Sequence, residues 1–229
     1  MERTPERITM RRIAEEILAV INLERGLGYT VRELALRPGS CIRTYLLEDR
    51  HRMVKPFALL ALIVTVATFM SLRFLPLGDG LWPAVEADLR EAHISGNGLI
   101  LAKWFFNGTQ KYFNIVFVSS LPGLALGTFL LFQEKGYNLA EHLVINTYIF
   151  SFQTLIYIMA LPLMTMQWAA ILASLAMAGY TLYAFVRVFE QRFWKVLGKG
   201  IIAYMISQAL TSILLLLAGL CAWIWLSLQ

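Results

Sequence analysis

Charge is scarce in this chain. Only 15% of its 229 residues are Asp, Glu, Lys or Arg, while 58% are hydrophobic, and the mean hydropathy is +0.62. Soluble domains carry roughly 25% charged residues, so an ordinary soluble fold is excluded. Cysteine is scarce as well. Cys41 and Cys221 are the only two, which rules out a four-ligand cysteine zinc site and a disulfide framework. The motifs of zinc proteases, serine hydrolases, P-loop proteins and dinucleotide enzymes are missing. Gly78-Asp79-Gly80 and Ser95-Gly96-Asn97-Gly98 read as turns, not phosphate cradles. The chain therefore reads as non-enzymatic, with no catalytic residue, no metal and no cofactor expected. The charged stretch Met1–Arg12 lacks the apolar core of a signal peptide, so the first span is expected to act as the insertion signal.

What the chain has in quantity is long apolar runs. Five of them, roughly Pro56–Leu77, Tyr112–Phe132, Leu143–Leu163, Trp168–Val186 and Ile201–Leu228, are almost free of charge. A helix needs about 20 apolar residues to cross a hydrocarbon core of about 30 Å. The predicted fold class is all-α: an integral membrane helical bundle of about five transmembrane helices, with a short amphipathic helical N-terminal cap. The cap is assigned to residues 1–55 and the transmembrane domain to 56–229, with an outer loop at about 78–111. Within that loop, Leu99–Phe106 is too short to span and reads as an interfacial or re-entrant segment. Trp223 and Trp225 are expected to anchor the last span at the outer interface.

The distribution of Lys and Arg predicts orientation. Eleven precede the first span, ending in Arg50, Arg52 and Lys55, and the connection after the second span holds Lys135. The connection after the fourth span holds Arg192, Lys195 and Lys199, whereas the one after the third holds none. The positive-inside rule then places the N-terminus in the cytoplasm and the C-terminus outside. Arg90, Lys103 and Lys111 in the outer loop, and Arg73, run against the pattern. The high pI does not point to nucleic acid, because these basic residues flank spans. Arg50, Arg52, Lys55, Arg192, Lys195 and Lys199 are instead candidates for anionic-lipid contact.

In the cap, Ile13, Ile17, Val20 and Ile21 recur at helical spacing, predicting an amphipathic helix over Thr9–Leu23. Gly26 and Gly28 are expected to stop it. Thr30-Val31-Arg32-Glu33 fits a capping box, predicting a second helix from Thr30. Arg37-Pro38-Gly39 breaks that helix, and a third runs from about Ser40 to Glu48. These helices either lie on the membrane surface or form a docking surface for a protein partner.

Thr30 through Leu34, then Arg37-Pro38-Gly39, then Ile42 through Leu46, then Arg50 through Phe57 resemble an uncharacterised bacterial family, the one catalogued as domain of unknown function 3667. Tyr137 through Val144 resembles that family's entrance to its third span. The resemblance implies a multi-pass protein of the bacterial inner, or cytoplasmic, membrane. Many members carry a cysteine-rich zinc ribbon ahead of this region, which this chain lacks. The five-span layout is similar to that of Yip-type membrane proteins, as architecture alone.

Polar residues inside the runs are the remaining candidates for function. His142, Asn146, Gln153 and Tyr157 fall on roughly one face of the third span, with Glu141 beside them; Gln208 sits in the fifth and Asn114 near the outer end of the second. Such groups are costly in lipid without a partner. They either hydrogen-bond between helices or line a polar path or lipid-headgroup site. Glu141-His142 fits acid–base work or a helix start. Gly123 and Gly127, and the line Ala170, Ser174 and Ala178, let backbones approach closely, with internal contact expected rather than a dimer seam. Pro122 is expected to kink the second span. The expected role is a non-enzymatic binding or assembly component. The alternative is a small oligomeric transporter, channel or lipid-handling protein using the polar stripe. Expected partners are membrane lipids, and a protein partner or a second copy of the chain.

Overall fold

The structure is a computed structural model that describes residues 23–49, 52–74, 82–111, 118–164 and 166–227. Nine α-helices are bounded within the described residues: α1 (Leu23–Leu36), α2 (Pro38–Leu47), α3 (Pro56–Phe74), α4 (Trp82–Glu91), α5 (Asn97–Lys111), α6 (Leu121–Leu131), α7 (Leu139–Ala160), α8 (Gln167–Phe189) and α9 (Phe193–Ser227), with short 3-10 turns at Gln133–Lys135 and Leu161–Leu163. There is no strand among the described residues. An all-helical fold suits a bilayer, since a helix satisfies its own backbone where no water can. Four segments are long and apolar enough to cross a membrane: Pro56–Phe74, Leu139–Leu163, Trp168–Phe189 and Phe193–Cys221. They mark a multi-pass membrane protein. The expected span Tyr112–Phe132 is described only from Val118 on and contains the shorter apolar helix α6.

The helix starts follow from local chemistry. Pro38, Pro56 and Pro122 stand in first turns, where the missing N–H has no intrahelical partner to lose. Pro122 stands in the first turn of α6, directly after the helical residues Val118 and Ser119, with Ser120 between them in the right-handed helical region. Helix α7 starts at a capping box: Asn138 Oδ1 accepts from the Glu141 N–H (2.9 Å) and the Asn138 N–H donates to Glu141 Oε2 (2.8 Å). Glu190 ends α8 in the left-handed region, at φ 47°.

The cap departs from the expected layout. The Thr9–Leu23 helix falls almost wholly outside the described residues. Gly26 and Gly28 do not stop a helix; α1 runs through both. A Cβ on Gly26 would meet Val54 and the Arg52 carbonyl at ordinary contact distance. Thr30 caps nothing. It is buried in mid-helix, and its hydroxyl accepts from the Val54 N–H at 3.0 Å. The local capping signal lost here to tertiary contact. The last helix also starts earlier than expected, at Phe193 rather than Ile201, placing Lys195 and Lys199 in its first two turns. At about 1.5 Å per residue α9 is roughly 50 Å long, more than a hydrocarbon core requires.

Helix α7 is central, packing against α3, α6, α8 and the cap, while α6 lies along α9. The main core sits at the cap end. Leu34, Ile42, Leu46 and Val54 pack there with Ile145, Tyr148, Phe185 and Phe189.

Candidate functional site

Three tyrosines tie the cap to the spans. Tyr148 Oη donates to the Val54 carbonyl at 2.8 Å, Tyr180 Oη to that of Leu34 at 3.0 Å, and Tyr183 Oη to that of Leu36 at 3.0 Å. The last two acceptors lie at the end of α1, where carbonyls lack intrahelical partners. Arg43 adds a bond to the Arg187 carbonyl (2.6 Å) and a salt bridge to Glu190 (2.7 Å). Gly39 is pressed so tightly on the Arg187 backbone that a Cβ there would overlap it. The cap is thus seated in the bundle end, and these tyrosines were not singled out from sequence. Their spacing on apolar runs looks like ordinary aromatic packing.

Cys41 lies inside this seat, its Sγ 3.3 Å from Met53 Sδ. Burial, with Glu33 adding to it, pushes the thiol up to about 12, so it is an unreactive core group at neutral pH. Glu134, in the connection before α7, bonds Lys199 Nζ (2.6 Å) and Gln191. Hydrogen bonds from these two hold its carboxyl below the usual range.

The stripe on α7 meets a different neighbour at each level. His142 and Asn146 are fully buried and turn to Thr128 on α6, with His142 Nδ1 3.2 Å and Asn146 Nδ2 2.8 Å from Thr128 Oγ1. Gln153 donates to Thr181 on α8. Tyr157 shares a 3.1 Å hydrogen bond with Ser71 on α3. Glu141 is occupied by its capping box and does not pair with His142, whose ring stacks on Phe189 at 5.5 Å. Gln208 points outward from α9; the polar residue turned inward is its neighbour Ser207, which donates to the Ser120 carbonyl at 2.8 Å. Asn114 falls outside the described residues. Thr128, the hub of the buried cluster, was missed because threonine is ordinary in a span.

The two small-residue lines part company. Gly123 and Gly127 face α9, where a Cβ would come within 3.0 Å of Ser207 Cα and 2.8 Å of the Ala203 carbonyl oxygen. The α8 line is placed otherwise than expected: Ser174 and Ala178 are exposed and Ala170 half-buried, while Ala169 and Ala173, one position earlier, face inward. The inward line starts one residue away because Tyr180 and Ala184 fix which face of α8 meets the core.

Of the basic candidates, Arg52, Lys55, Arg192 and Lys195 are exposed, Lys199 is half-buried on Glu134, and Arg50 falls outside the described residues. Among the described residues no three His, Cys, Asp or Glu side chains converge as metal ligands. An open groove of about 520 Å³ runs between α5 and α9, lined by apolar residues such as Leu101, Phe105, Leu215 and Leu216. Nothing in that lining can act as acid, base or nucleophile.

The family described as "Protein of unknown function (DUF3667)" matches residues 24–68. That segment covers the seated cap and most of α3, so the resemblance rests on the part that closes the cap end. No curated protein and no solved structure matches the chain.

Proposed function

We propose that the protein is a non-enzymatic binding or assembly component of a bacterial inner membrane, with its N-terminus cytoplasmic and its C-terminus outside. In this reading the cap is a docking platform held at a fixed angle to the spans. The observation that carries it is the seating of the cap. Its inner face is anchored by Tyr148, Tyr180, Tyr183 and Arg43. Its outer face keeps Leu36 and Leu47 in the open, Leu47 at 66% exposure. A surface held rigid before binding loses little further entropy when a partner arrives.

Membrane lipid is the second partner in this reading. Arg52, Lys55, Arg192 and Lys195 are exposed near the cap end together with Phe57 and Trp194, the latter 78% exposed. Cations beside exposed aromatics suit a headgroup layer of anionic lipid, each charge contributing about 1 kcal/mol there. The polar stripe supports this reading over conduction, because Gln153 and Tyr157 are engaged with neighbouring helices.

The test is gentle extraction of the tagged, full-length chain from its host membrane, followed by native mass spectrometry. A defined hetero-complex is expected, lost on Leu36→Glu with Leu47→Glu while the monomer stays folded. A chain that emerges repeatedly alone, or as a homo-oligomer that conducts in liposomes, overturns the proposal in favour of the transporter or channel.

A further inference from the structure

Thr128, His142 and Asn146 form a closed hydrogen-bond account that leaves two atoms over. Thr128 Oγ1 donates its single proton to the Leu124 carbonyl at 2.9 Å, with the Ala125 carbonyl at 3.1 Å sharing it. The oxygen can therefore only accept from the two side chains that reach it. Asn146 Nδ2 supplies one bond at 2.8 Å and uses its second proton on the His142 carbonyl, also at 2.8 Å. His142 Nδ1 stands 3.2 Å from the same oxygen, and the tautomer that fits a hydroxyl already donating to its own helix is the one in which Nδ1 donates. For Nδ1 to donate, the imidazole proton must sit there, which leaves a lone pair on Nε2.

What is left over is thus of one kind. His142 Nε2 and Asn146 Oδ1 are buried and have no protein partner, and both are acceptors. They belong to side chains one turn apart on α7, joined to the same hydroxyl. Their residues are fully buried, with Phe129, Tyr137 and Phe189 packed around the imidazole. A buried acceptor without a donor costs about 1–3 kcal/mol, and these aromatic neighbours hold no donor that is directed at either atom.

We propose that this cluster is a binding site for one small hydrogen-bond donor, and that its occupant is a single water molecule giving one proton to His142 Nε2 and the other to Asn146 Oδ1. Water has two donors, matches the two acceptors, and is the smallest occupant that does so. The water would join two side chains of α7 that Thr128 on α6 already holds directly, next to the seated cap.

The test is nuclear magnetic resonance on the full-length chain in lipid nanodiscs with ¹⁵N-labelled histidine, the His142 signals being assigned by their loss in His142→Gln. The expected result is a proton on Nδ1, an unprotonated Nε2 and magnetisation transfer from a long-lived water to the His142 ring. In Asn146→Leu that transfer falls to baseline, while in Thr181→Val, on α8, it persists. Nδ1 protonation and water transfer are read in the unaltered protein, so the result stands even where Asn146→Leu fails to fold. A proton on Nε2 instead of Nδ1, or no water transfer in the unaltered protein, overturns the proposal. Occupancy that follows added ammonium or alkali cation overturns the assignment to water.

Discussion

At the cap end, Leu34, Ile42, Tyr148 and Phe189 are sealed among four helices, and polar atoms of the cap find partners on α7 and α8. At the far end of α9, Leu214, Leu216, Leu217 and Leu220 are exposed. Both regions are strongly apolar in sequence. The difference is the solvent each is built to meet: the first packs protein on protein, the second presents side chains to lipid, which costs an apolar group nothing. Stability is therefore concentrated where the cap closes the bundle.

Truncation gives the largest contrast. Ile42→Ala should cost about 2–5 kcal/mol through the cavity it opens in a sealed core, whereas Leu216→Ala should change stability by less than about 0.5 kcal/mol. Reversible unfolding in micelles measures both, and equal losses would erase the distinction between the two ends. Next come two glycines of the cap. Gly39→Ala drives a methyl into the Arg187 backbone and should destabilise by about 1–3 kcal/mol. Gly28→Ala meets open space inside α1 and should stabilise by about 0.5–1 kcal/mol. The Cys41 thiol reports the same event. It should resist alkylation at neutral pH in the native protein and react once Gly39→Ala has loosened the seat.

Smaller effects sharpen the picture. Tyr148→Phe leaves the Val54 carbonyl without its donor and should cost about 1 kcal/mol. At the exposed Glu134 the effect is confined to acid. Its folded carboxyl is lowered, so the contribution is present above the ordinary Glu value of about 4.3 and disappears as pH falls through the lowered value. Glu134→Gln should remove that acid dependence and leave the rest of the pH profile alone.

Much of the architecture was legible in the residues. The apolar runs announced the spans because hydrocarbon thickness dictates a length that sequence displays directly. Glu141 fits a helix start in the sequence, and the structure supplies the reason, a capping box with Asn138 that begins α7 at Leu139, ahead of the expected Leu143. The candidate site was legible as a set of residue types and no further. His142, Asn146, Gln153 and Tyr157 share a face, yet each level of that face meets a different helix. Thr128 and Ser207 gave no signal, since either residue can satisfy itself by bonding to its own helix. Thr30 misled because its hydroxyl is taken by the Val54 N–H, and Gly26 because a glycine's preference against helix is weak enough for α1 to run through it.

By itself, then, the sequence determined that this is a multi-pass helical membrane protein, roughly where its spans lie and which residues are too polar to face lipid. Those properties follow from single residues and short periods. Tertiary structure alone decided that the cap is seated in the bundle by Tyr148, Tyr180 and Tyr183, that Gly123 and Gly127 face α9 while Ser174 and Ala178 face out, and that His142 and Asn146 converge on Thr128. Each of these depends on which face of a helix meets which neighbour. In a uniformly apolar span, where almost every face is equally at home in lipid, that choice is made by packing and by the pairing of polar atoms.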